Sequence, residues 1–145
     1  MKTFFSQVAI AGLLLSASVL ASAADVPRTA SPAGAEEYII SPKDGATVGK
    51  TFKIQFGLKG MGVAPAGVDV PNTGHHHLLI DVKDPLPLDA PIPETDTIKH
   101  FGKGQTETEV TLAPGKHTLQ LIMGDKSHIP LDPLVESKKI TVTVK

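Results

Sequence analysis

Hydrophobic and polar residues alternate with a period of two along most of the chain after residue 36. In residues 51–58, Phe52, Ile54, Phe56 and Leu58 fall on one side, with Lys53, Gln55 and Gly57 on the other. That is the pattern of a strand with one buried face. The same alternation places Val110 with Leu112 in residues 107–112, Leu119 and Leu121 with Met123 in residues 116–123, and Ile140 and Val142 with Val144 in residues 137–144. Shorter strands are predicted at residues 37–41, 75–82 and 97–101. Turn-forming Asp44-Gly45, Gly102 to Gln105 and Pro114-Gly115 separate several of them. Residues 84–94 carry Pro85, Pro87, Pro91 and Pro93; proline has no amide donor, so this stretch reads as a rigid, extended connection and not a central strand. About seven short strands with no helical period between them predict an all-β fold, an immunoglobulin-like β-sandwich. The chain has no cysteine and no tryptophan, which excludes the disulfide–tryptophan core of a true immunoglobulin domain.

The start of the chain follows a different rule. Lys2, an apolar stretch from Phe4 to Leu20 and the small-x-small run Ala21-Ser22-Ala23 form the pattern of a secretory signal peptide over residues 1–23. The apolar stretch is short for a bilayer span, and no second one follows. Residues 24–36, rich in Ala, Pro and Ser, read as a flexible leader, and residues 37–145 as a single β-sandwich domain. Loss of Lys2 with the signal takes the net charge from −1 to −2, which gives no electrostatic case for nucleic acid. An exported chain without cysteine has neither disulfide staples nor thiolate metal ligands. Its expected location is the periplasm, with secretion as the alternative.

The densest chemistry lies in Gly74-His75-His76-His77-Leu78-Leu79-Ile80-Asp81. On a strand, His75 and His77 share one face and His76 takes the other. Two imidazoles two residues apart can converge on one metal ion, and imidazole suits zinc, copper and nickel. In the predicted sandwich, the connections after the second, fourth and sixth strands gather at one end. That end then holds five of the six histidines, including His100 and His128, together with Met61 and Met123. His117 falls at the opposite end. The expected site is metal: His75, His77, His100 and His128, with Met61 as a soft ligand. Met123 continues the Leu119–Leu121 face and is expected in the core. Asp69 and Asp125 are the carboxylates at the same end. A thioether favours Cu(I) and imidazole serves both copper states, so copper is expected ahead of zinc. No serine-hydrolase elbow or His-Glu-x-x-His motif is present.

Several runs carry a resemblance. They are Ile40 to Val48, Gly60 to Gly67, Gly74 to Asp81, His100 to Glu107, Gly115 to Leu121 and His128-Ile129-Pro130. Through them the chain resembles a family of small exported bacterial proteins with an uncharacterised domain. Those motifs include Met61, the triplet, His100, His117 and His128. The opening Ser41-Pro42-x-Asp44-Gly45-Ala46 is also similar to periplasmic copper-resistance sandwiches, although this chain lacks a histidine at its mature N-terminus. The expected function is a periplasmic metal carrier or buffer. The alternatives are an envelope interaction module using the same loops without metal and, third, a metal-dependent enzyme.

Overall fold

The computed structural model describes residues 26–145, so the expected signal peptide lies outside the described residues. The strands are β1 (Glu36–Ser41), β2 (Thr47–Val48), β3 (Thr51–Lys59), β4 (Gly62–Val63), β5 (Thr73–Ile80), β6 (Ile98–His100), β7 (Glu107–Thr111), β8 (Gly115–Gly124) and β9 (Ile140–Val144). They form two sheets, β1-β3-β7 and β2-β9-β8-β5-β4, with β6 added along β5. No helix occurs among the described residues. All seven predicted strands are present, and β2 and β4 are two-residue additions. The fold is an all-β sandwich.

Alternation on β3, β8 and β9 builds the space between the sheets. Ile54 and Phe56 from the smaller sheet meet Leu78, Ile80, Leu119, Leu121 and Val142 from the larger one. Burying a side chain of this size contributes about 1.5–3 kcal/mol. On strand β1, Tyr38 and Ile40 are exposed, whereas Glu37 points inward and is buried. The Tyr38 ring lies across Gly57 on β3, where any side chain would collide with it.

Strand β5 does not alternate, because both of its faces are covered. His76, Leu78 and Ile80 point between the sheets, with the His76 ring 5.1 Å from that of Phe56. Leu79 points outward and packs with Ile92, Ile98 and Ile122. The proline-rich connection predicted to cross the surface supplies Ile92 and Leu86 to that cluster. It is therefore a strap that seals the outer face of the larger sheet.

Part of the expected flexible leader is fixed. Ala30 bridges Asp132, Arg28 Nε donates to Pro130 O at 3.1 Å, and Thr29 Oγ1 donates to Asp125 Oδ2 at 2.7 Å. These bonds tie residues 28–31 to the connection after β8.

At the far end of the sheet, His117 Nδ1 donates to Asp81 Oδ2 at 2.7 Å and Nε2 to Ala113 O at 2.8 Å. Using both nitrogens as donors favours the imidazolium. These hydrogen bonds, Asp81 first, raise the His117 pKa above its ordinary value. A raised folded-state pKa contributes stability that is fully present below the unfolded value, about 6.5, and lost as pH rises through the folded one. Denaturant unfolding of His117→Ala beside the parent is expected to show a gap of about 0.5–1 kcal/mol at acidic pH that closes in alkali. An equal gap at pH 5.5 and pH 9 would contradict the assignment.

Candidate metal centre

His75 and His77 lie on the outward face of β5, and both are fully buried. Strand β6 pairs antiparallel with β5 and sets His100 directly opposite His77. His128 comes from the loop after β8, where it adopts a left-handed backbone with φ 68°. Histidine tolerates that region better than most residues, but it still carries strain. The loop is held in shape by Asp125. Its Oδ1 accepts from the amides of Ser127 at 2.8 Å and Ile129 at 3.0 Å, and its Oδ2 accepts from Thr29. The His128 amide donates to Asp125 O at 2.9 Å. The strap locks the loop from the other side, because the Ile92 amide donates to His128 O at 2.8 Å.

These elements bring four imidazoles together. One nitrogen from each of His75, His77, His100 and His128 lies within 4.8 Å of the others, so the cluster can hold a metal ion. His75 Nε2 and His128 Nδ1 are 3.1 Å apart. A tetrahedral ion with metal–nitrogen bonds of about 2.0–2.1 Å needs nitrogens about 3.4 Å apart, so closing on an ion asks only about 1 Å of ring movement. Two glycines leave room for the rings. A Cβ at Gly124 would sit 2.7 Å from His77 Cε1, and one at Gly102 would sit 2.6 Å from His100 Nε2.

Much of the bonding capacity of the cluster is unspent. Nδ1 of His75, both ring nitrogens of His77 and Nε2 of His100 are buried without a hydrogen-bond partner. Each such orphan costs about 1–3 kcal/mol. Burial, and then the neighbouring imidazoles, lower the pKa of His75 to about 4 and that of His77 to about 3. Burial and His100 lower that of His128. The rings of His75, His77 and His128 are therefore neutral at pH 7, the form that coordinates metal.

The other residues singled out in the sequence lie elsewhere. His76 turns away, as strand alternation requires, and its Nδ1 meets Glu37 Oε1 at 2.5 Å between the sheets. Burial drives both groups toward their neutral forms. Met61 is a correction. It packs with Met123, Leu131 and Val135, and Met123 is the cross-strand partner of His76. That cluster lies on the inward side of the sheet, and the β5–β8 pair separates it from the four histidines. Met123 is core, as expected. Asp69 pairs with Lys126 at 2.5 Å, and Asp125 is occupied by the loop it shapes. Sequence reasoning missed three contributors: Gly102, read only as a turn residue, Gly124, read only as the start of a polar loop, and Glu94, which lines a cavity of about 240 Å³ with Ile92, His100 and His128.

No curated protein matches the chain. The X-ray structure of the endo-beta-1,4-mannanase from Thermotoga petrophila is similar over 77% of this chain at 18% identity and a TM-score of 0.44, a likeness too low to carry a conclusion. This chain spans 20% of that one. Residues 54–145, from within β3 to the end of β9 and including all four clustered histidines, match a domain of unknown function, DUF4399, and the chain belongs to that family.

Proposed function

We propose that the protein is an exported, periplasmic metal carrier or buffer that holds one ion between His75, His77, His100 and His128. The observation that carries this reading is that one ring nitrogen from each of the four histidines lies within 4.8 Å of the others, in a cluster where four buried nitrogens of His75, His77 and His100 have no hydrogen-bond partner. A hydrophobic module would fill such a space with apolar side chains, and a structural network would satisfy its donors. An all-imidazole donor set suits Cu(II), zinc and nickel, and the affinity order for a fixed site puts Cu(II) above zinc. With Met61 on the other side of the sheet, the case for copper rests on that order and on imidazole, no longer on a thioether. Export rests on the charged, apolar and small-residue pattern of residues 1–23.

The three loops at this end are already tied together by Ala66 N to Gly102 O and Gly67 N to Lys126 O, each at 2.9 Å. Protein purified without a tag and dialysed against Cu(II) or Zn(II) is expected to retain about one ion per chain by elemental analysis. The ion is also expected to raise the unfolding temperature. At a free metal concentration a thousandfold above Kd the gain is about 4 kcal/mol. Failure to retain either metal at micromolar concentration would transfer the case to a metal-free interaction module.

A further inference from the structure

His75 and His77 are fully buried, so an ion cannot reach them directly from solvent. The cluster opens onto the cavity of about 240 Å³ lined by Ile92, Glu94, His100 and His128. Glu94 is the one carboxylate in that lining, and it is exposed at the mouth. Its place is fixed by its neighbours. Ile92 is anchored in the cluster with Leu79, Ile98 and Ile122, and its amide is bonded to His128 O. Pro91 and Pro93 stiffen the strap on either side of Ile92. One residue beyond Glu94, the Thr95 amide donates to Ile98 O at 2.9 Å and its hydroxyl accepts from the Ile98 amide at 3.0 Å. A short, doubly anchored strap therefore holds a negative charge where the cavity meets water. A carboxylate at the mouth attracts cations at long range, and oxygen donors exchange them readily.

We infer that Glu94 is the capture residue of the centre: a divalent first-row cation meets Glu94 first, is taken up by His100 and His128, and is then held by these together with His75 and His77, leaving by the same route. This rests on the metal-binding reading above. Glu94 then acts on the rate of loading and unloading and is not one of the resident ligands.

The test is stopped-flow transfer of Zn(II) from a chromophoric chelator to the full chain, with release followed by adding excess chelator. The chain has no tryptophan, so the chelator provides the optical signal. Glu94→Gln is expected to slow uptake about tenfold at low ionic strength, with the difference shrinking in high salt. It should leave about one zinc per chain at equilibrium, and release should be no faster than in the parent. Glu109→Gln removes the same charge from β7 on the opposite sheet and is expected to load at the parental rate. Uptake by Glu94→Gln within twofold of the parent would overturn the inference. So would faster release or loss of stoichiometric binding, since either would make Glu94 a resident ligand. A parent chain that takes up no zinc would instead refute the metal centre itself.

Discussion

Replacing His75 and His77 together by alanine is expected to abolish stoichiometric metal binding. Both rings sit at the closed end of the cluster and contribute three of its four partnerless buried nitrogens. What remains is His100 and His128, which are partly exposed. A four-ligand structural zinc site with thiolate donors is worth about 10–16 kcal/mol at neutral pH, an upper bound for four imidazoles. Losing half the cluster's donors should weaken binding at least a thousandfold, about 4 kcal/mol. The metal-free protein should suffer far less, because alanine removes orphaned polar atoms along with the ring volume. The double variant is therefore expected to keep the parental circular dichroism and an unfolding temperature that no longer responds to metal or chelator. His117→Ala, at the other end of the sheet, should bind as the parent does. Unchanged metal content in the folded double variant would remove the centre from His75 and His77.

The architecture was readable wherever one face of a strand is buried and the other wet. Strands β3, β8 and β9 satisfy that condition, and their inward residues, Ile54, Leu119, Leu121, Val142 and Val144, were identified by alternation alone. The site was legible in part for the same reason. Parity along β5 separates His75 and His77 from His76, and strand order brings His100 and His128 to the same end. Parity does not say which face of β5 looks toward the second sheet, since both faces of that strand are covered. Met61 was misplaced on this account: it lies at the right end of the molecule on the wrong side of the sheet. Nothing in the short run from Glu37 to Ser41 marks a buried carboxyl, because the imidazole of His76 that holds Glu37 inward lies on a different strand. Arg28 to Ser31 show no periodicity because their bonds are made to a loop more than ninety positions away. Glu94 sits among prolines that read only as punctuation, and its role depends on where the strap is fastened.

Glu37→Ala is expected to destabilise the fold by about 3 kcal/mol, a larger effect than any surface change. The carboxyl and the His76 ring form a neutral, hydrogen-bonded pair between the sheets, each with a side chain at most 1% exposed. Removing the carboxyl leaves His76 Nδ1 without a partner, which costs about 1–3 kcal/mol, and opens a cavity beside Phe56 that adds to it. Part of the loss is offset, because Glu37 Oε2 is itself buried without a partner. Replacing both members by leucine should recover most of the stability, to within about 1 kcal/mol of the parent, since a buried polar pair is often no better than its apolar equivalent. The size of the recovery beyond additivity measures the coupling between the two groups. The same double variant also tests the geometry of the metal centre. His76 lies between two ligands in sequence but projects to the opposite side of the sheet, so Glu37→Leu with His76→Leu should still hold about one zinc or copper per chain. Loss of the metal in a folded double variant would mean that the triplet works as a unit across both faces of β5. A Glu37→Ala protein as stable as the parent would show that the buried pair contributes nothing to the fold.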